Sequence, residues 1–298
     1  MRITRRMLLK GAVAVGSGLA LGQLPALKRR GVAHATSGPS SASTPAVLYD
    51  MTQCAGCKFC EIACQINKGL TPDKALLTFR TAKPDDYPKT AFAVRRQQCM
   101  HCLDAACASI CPVAAMYKTP EGPVIYKDER CLGCRYCMNA CPFGVPTFDW
   151  DSGLLDGALI RKCDFCYDRQ KAGQQPACID ACPTKAVMFG KRDELLAQAK
   201  ERIKQNPDRY VDHIYGEHEA GGTSFLLLSG TPFDQLGLPT PGDKALPPLS
   251  EKVMGYMPPF MLGWTALLVG TTWAIRWREK RMNENGAHKG TAGKEAGK

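Results

Sequence analysis

Two long uncharged runs lie at the ends of the chain, and short apolar stretches punctuate a polar middle. The first runs from Gly11 to Leu27, and the second comprises the 23 residues from Val253 to Ile275. The first is short, interrupted by Gly16, Gly18, Gly22 and Pro25, and closed by Lys28, Arg29 and Arg30, which suits a removable leader better than an anchor. The second, taken to Trp277, predicts a transmembrane helix over 253–277. At about 1.5 Å per residue it would cross a hydrocarbon core of roughly 30 Å. Tyr256 at one end and Trp273 with Trp277 at the other suit the interfaces, and Pro258 and Pro259 fall near the entry. A buried core helix is disfavoured, because only a polar tail follows it. In the middle, Val47, Leu48 and Tyr49 lead into the folded body, and Val124, Ile125 and Tyr126 predict a strand after the turn at Pro120 to Pro123. Lys191 to Gln205 predicts an amphipathic helix with Leu195, Leu196, Ala199 and Ile203 on one face and a solvated charged face opposite. Gly221, Gly222, Thr223 and Ser224 predict a turn into a buried strand, Phe225 to Leu228.

The chain has 298 residues and is 45% hydrophobic, which excludes a disordered polar chain. Its charge of +11 is misleading, since residues 1–35 hold seven basic side chains and no acidic one, and removing them leaves about +4. Nucleic-acid binding thereby loses its main support. Arg5 and Arg6, followed by Leu8, Leu9 and Lys10, resemble the twin-arginine signal family, whose translocase exports folded proteins. Ala33, His34 and Ala35 supply a small-x-small cleavage site, so 1–35 is expected to be a signal peptide and 36–46 a Ser/Thr/Pro linker. The folded domain is expected over 47–240 and a second linker over 241–252. Arg276, Arg278, Lys280 and Arg281 would hold the polar tail, 278–298, in the cytoplasm, leaving the body on the periplasmic side of a bacterial inner membrane.

All sixteen cysteines fall between residues 54 and 182, in four groups of four. Cys54, Cys57, Cys60 and Cys64 read CxxCxxCxxxC, and Cys131, Cys134, Cys137 and Cys141 repeat that spacing. In Cys99, Cys102, Cys107 and Cys111 the second gap widens to four residues, and in Cys163, Cys166, Cys178 and Cys182 to eleven. Pro112, Pro142 and Pro183 each follow a fourth cysteine, where the first group has Gln65. This is the bacterial ferredoxin run, in which three thiolates wrap one cubane and the fourth ligates its neighbour. Three ligands at that spacing converge only if the backbone loops around the cluster, where its amides can point at sulfur. The fourth cysteine is expected to turn away as a helix begins, and a following proline fixes φ at the departure.

The fold expected is α+β, a nested pair of dicluster ferredoxin-like units. Residues 99–141 form the inner unit, and 54–64 with 163–182 form the outer one. A disulfide scaffold fits poorly, because cysteines two residues apart rarely reach bridging geometry. Zinc ribbons place two cysteines at a time rather than three with a distant fourth. Export in the folded state also suits centres assembled in a reducing cytoplasm.

No nucleophile elbow, phosphate loop or dinucleotide fingerprint is present, and no catalytic residue is assigned. The histidines, His34, His101, His213, His218 and His288, are scattered. His101, between Cys99 and Cys102, has two readings: an exposed loop residue, or a hydrogen-bonding group that tunes a cluster.

With these motifs the chain resembles the four-cluster ferredoxin-like subunits of respiratory complexes, of the hydrogenase-2 and formate dehydrogenase-N type. The carrying stretches are Leu48 to Asp50, Cys99 to Cys102, and Cys131 to Pro142 with Gly133, Arg135 and Tyr136. Pro176 to Thr184, Tyr215 to Glu217, and Gly221 to Thr223 complete them. The resemblance implies four [4Fe-4S] clusters. The first would be held by Cys54, Cys57, Cys60 and Cys182, and the second by Cys163, Cys166, Cys178 and Cys64. The third would be held by Cys99, Cys102, Cys107 and Cys141, and the fourth by Cys131, Cys134, Cys137 and Cys111.

It also implies electron transfer between a catalytic hydrogenase or molybdopterin oxidoreductase subunit and a membrane cytochrome b or quinone-reactive subunit, with contact to membrane lipid. The leader and anchor resemble the hydrogenase arrangement, and Arg169 to Thr184 the formate dehydrogenase pattern, so the parent complex stays open. Two other functions stay open with it: a molybdopterin terminal reductase running the same chain in reverse, and an iron–sulfur enzyme in its own right.

Overall fold

The computed structural model describes residues 44–82, 93–150 and 160–292. The expected leader and most of the linker at 36–46 lie outside the described residues, as does the end of the tail, 293–298. In chain order the elements are β1 (Pro45–Asp50), α1 (Phe59–Lys68), β2 (Thr78–Ala82), β3 (Ala93–Gln97), α2 (Ala106–Ser109), β4 (Met116–Lys118), β5 (Val124–Tyr126) and α3 (Tyr136–Ala140). There follow β6 (Thr147–Phe148), β7 (Ile160–Arg161), α4 (Tyr167–Lys171), α5 (Ala177–Asp180), β8 (Val187–Lys191), α6 (Arg192–Gln205), β9 (Phe225–Leu228) and α7 (Pro247–Ala292). Two compact units divide between Pro247 and Pro248.

In the first unit β1 is the middle strand of three, antiparallel to β8 and parallel to β9. Alternation of side chains gives this sheet two buried faces. Ala46, Leu48, Leu226 and Leu228 pack against Leu195, Ala199 and Ile203 of α6. Val47, Tyr49, Phe225 and Leu227 face the other way and meet Met100, Phe143 and Phe165 from the cysteine-bearing segments. The sheet therefore joins chain ends that flank the first and last cysteine groups. The amphipathic helix forms as expected, with Leu196 only partly buried at its edge. Asp193 and Glu194 in its first turn and Arg202 and Lys204 in its last complement the helix dipole. The strands at Val124 to Tyr126 and Phe225 to Leu228 also form where the pattern puts them.

Asp50, fully buried at the end of β1, accepts hydrogen bonds from the Thr52 amide at 3.0 Å and its hydroxyl at 2.7 Å. The Tyr210 hydroxyl at 2.8 Å and Arg202 Nη1 at 2.9 Å complete its shell. Gly216 adopts φ of 99°, and a Cβ there would lie 2.5 Å from the Phe225 carbonyl oxygen and the Thr223 hydroxyl. Only glycine fits that close approach of the 215–217 loop to β9.

The second unit corrects an expectation. Among the described residues no helix is long and apolar enough to cross a membrane. α7 has 46 residues, so length is not the shortfall. Gly263, Gly270, Thr265, Thr271, Thr272 and the Pro258–Pro259 pair dilute the apolar content of the run. The transmembrane helix expected over 253–277 thus becomes part of one longer helix, which also takes in the end of the linker at 241–252 and most of the tail from 278 onward. Every described side chain from Tyr256 to Met282 is exposed on it.

Candidate metal centres

The CxxCxxC loops share a backbone design. In the first group Gly56 and Lys58 take left-handed conformations, φ 67° and 61°, and in the third Gly133 and Arg135 repeat them at 68° and 60°. These bends curl the loop, and α1 and α3 then start one residue before the third cysteine. The helix was expected at the fourth cysteine. Instead Cys60 and Cys64 lie four residues apart along α1, where one face of the helix can present both. Amides do point at the sulfurs, as anticipated. Gly56 and Gly133 donate to Cys54 and Cys131 Sγ at 3.4 Å, Phe165 to Cys163 Sγ at 3.3 Å and Met116 to Cys111 Sγ at 3.4 Å.

Packing brings the groups together in pairs. α1, carrying Cys60 and Cys64, lies against α5, which carries Cys178, and α2 with Cys107 lies against α3 with Cys137. Lys68 Nζ pairs with Asp164 Oδ2 at 2.5 Å and fastens the end of α1 to the fourth group.

Two apolar cavities follow from this packing. One is lined by Cys64, Cys163, Cys166 and Cys178, with Phe165 and Gln98 beside them. The other is lined by Cys111, Cys131, Cys134 and Cys137, with Met116 and Ile160. Each holds three thiols of one group and one from another. The thiols ring these spaces rather than meeting at a point. Among the described residues no three His, Cys, Asp or Glu side chains stand close enough to hold a single metal ion. A four-iron cube, offering one iron to each thiolate, fits such a ring.

Burial governs the thiols. It pushes Cys60 up to about 11, Cys64 up to about 12 and Cys137 up to about 11, with neighbouring cysteines adding to the rise. Such thiols hold their protons in water and give them up when a metal takes their place. Burial raises Cys182 as well, but the amides of Val187, Ala186 and Thr184 and the Thr184 hydroxyl outweigh it and leave the thiol below its ordinary value. For Cys102, burial is reinforced by Cys107, Cys99 and Cys141.

The groups also lie within electrostatic reach of one another. Cys137 acts on Cys107, Cys99 on Cys163, and Cys178 on Cys60. These influences link the groups in the order third, second, fourth, first. Cys134 and Cys57, at the two ends, are exposed.

His101 is fully buried, against the exposed-loop reading. Its Nδ1 accepts from the Val124 amide at 3.0 Å, and its ring lies 4.6 Å from that of Phe165. Burial, with Lys162 and Lys118 nearby, holds it well below the usual histidine range, so it is neutral. Those lysines cap carbonyls of the cluster loops, Lys162 at Cys163 and Lys118 at Cys102. The cysteine spacing gives no sign of them, nor of Arg96. An arginine pair, Arg95 and Arg96, directly after the apolar run Ala91 to Val94 and just before Cys99 was the available signal.

The profile of the 4Fe-4S dicluster domain matches residues 90–192. Hydrogenase-2 operon protein HybA of Escherichia coli O157:H7 is 33% identical, over 95% of this chain and 98% of its own. The chain belongs to the iron–sulfur electron-transfer subunits of respiratory complexes. The B subunit of the anaerobic dimethyl sulfoxide reductase of Shigella flexneri is 39% identical over 50% of this chain and 74% of its own. The iron–sulfur subunit of the nitrate-inducible formate dehydrogenase of Escherichia coli K12 is 31% identical over 61% and 67%. As a member of this family the chain carries 4Fe-4S clusters in a ferredoxin-like dicluster domain, which meets the expectation drawn from the cysteine spacing.

Proposed function

We propose that this subunit is a wire of four [4Fe-4S] clusters, with the ligand sets that the resemblance implies. The observation that carries the reading is the pair of cavities ringed by Cys163, Cys166, Cys178 with Cys64 and by Cys131, Cys134, Cys137 with Cys111. Each cluster supplies a one-electron site. The chain's own residues bury it, aim amides at its sulfurs and line it up with the next. The outer ends of this order suit partner contact. Phe59, Ile62 and Ile66 expose one apolar side of α1 near Cys57, and Leu132 and Tyr136 are exposed beside Cys134.

One end would face a catalytic hydrogenase or molybdopterin subunit on the exported side, and the other a membrane cytochrome b or quinone-reactive subunit. Arg5, Arg6 and the Ala33 to Ala35 site support export by the folded-protein route. The uncharged, exposed stretch of α7, with Phe260, Leu262, Leu267 and Ile275, supports packing against the apolar surface of the membrane partner. A second reading, delivery of electrons to a terminal reductase, draws on the likeness to the dimethyl sulfoxide reductase subunit.

The test is the native complex, extracted anaerobically in detergent with the subunits that co-purify. Hydrogen or formate should bleach the iron–sulfur absorbance within seconds, and a quinone analogue should restore it. Bleaching by a reduced quinol, with reoxidation by an added sulfoxide, would instead establish the second reading. No response to either pair would contradict the wire.

A further inference from the structure

Arg96, on β3, belongs to none of the ligand sets, yet its side chain is 3% exposed. Nη2 donates to Gln98 Oε1 at 2.8 Å, while Nε and Nη1 have no hydrogen-bond partner. The rings of Tyr49 and Phe225 flank the guanidinium at 5.3 and 5.5 Å. The groups acting most strongly on its charge are the thiols of Cys178, which also hydrogen-bonds it, and of Cys60, with the Tyr49 phenol behind them, and Gln98 lines the cavity that Cys178 helps to ring. A guanidinium stays charged at any working pH, and burying it without an anion is costly. The fold keeps it there nonetheless, with two donors unspent.

Cys60 and Cys178 fall in different ligand sets, those of the first and second clusters. A cubane with four thiolate ligands is a net anion and becomes one charge more negative on reduction. A fixed cation beside it therefore favours the reduced form over the oxidised one. We infer that Arg96 is the counter-cation of the two outer clusters, placed between them to hold their reduction potentials up. In each step one electron arrives at a cluster from its neighbour or from the reductant, and Arg96 neither gains nor loses a proton. The inference rests on the ligand sets proposed above.

The test uses the full chain, prepared anaerobically, with dithionite as reductant and paramagnetic resonance as readout. The signal of the first cluster is the one that Cys182→Ala removes. In Arg96→Met, at unchanged iron content, this signal should need at least a tenfold stronger reducing poise, a midpoint about 59 mV more negative. The signals of the inner unit should stay where they were. Arg96→Lys, which keeps the charge, should lie closer to wild type than to Arg96→Met. An iron-loaded Arg96→Met with an unmoved midpoint would overturn the inference. If Arg96→Met fails to hold iron, Arg96→Lys decides. Retained iron with a near-wild-type midpoint upholds the role of the charge, and loss of iron in both variants assigns Arg96 to packing alone. Wild-type protein without iron and sulfide is a separate outcome that removes the cluster reading itself.

Discussion

Cys182→Ala should lose one cluster and keep three. Cys182 follows α5 directly, and its thiol is held below its ordinary value by the amides and hydroxyl of the 184–187 segment, although burial pulls the other way. It acts on Cys60 in the first group. Removing it leaves the proposed first cluster with Cys54, Cys57 and Cys60. Iron should fall by about four of about sixteen per chain, or by about one if a three-iron remnant survives. The signals of the inner unit should persist, since the proposed set of Cys99, Cys102, Cys107 and Cys141 does not include Cys182, and the other three thiols act on Cys102. An equal loss from all clusters, by iron analysis and paramagnetic resonance, would contradict the nested pairing.

Asp50→Ala should be the most damaging change outside the cysteines. The carboxylate joins the end of β1 to α6 through Arg202 and to the loop before β9 through Tyr210, and it also holds the Thr52 turn that leads into Cys54. Deleting it strands a buried phenol, an amide and a guanidinium at once. The side chain of Arg202 is 26% exposed and can recover some hydration, so the cost belongs at the lower end of the range for a broken buried pair, about 3 kcal/mol. Asp50→Asn keeps the shape and part of the hydrogen bonding and should cost about 1–2 kcal/mol. Thermal unfolding of the iron-loaded variants at one scan rate should rank wild type above Asn above Ala. An Ala variant that unfolds with wild type would show that this network does not hold the sheet to the first cysteine loop.

Much of this was legible in the sequence because cysteine spacing is a strong local constraint. Three ligands two residues apart force a curled loop, and Gly56 and Gly133 supply the left-handed turns. The amphipathic helix was legible because it buries one face at its own period, and the strand at Phe225 to Leu228 because a short continuous apolar run suits a strand buried on both faces. The β2–β3 hairpin was missed, because Thr78 to Ala82 alternates weakly and its partner carries Arg95 and Arg96. The burial of His101 was missed too. A histidine between two cysteines looks like a loop residue until β5 supplies the Val124 amide and Phe165 covers its ring. The end of the chain misled in the opposite way. Absence of charge over Val253 to Ile275 suggested a membrane span, but among the described residues no helix is long and apolar enough to cross a membrane. Charge patterning reports what a segment lacks, whereas crossing a bilayer depends on what it contains.

The measurement that bears most directly on the account is the iron and acid-labile sulfide content of the full chain, purified without exposure to air. About sixteen of each per chain, in brown protein whose colour bleaches with dithionite, is the result predicted for four cubanes. Colourless protein containing zinc, or iron without sulfide, would contradict it.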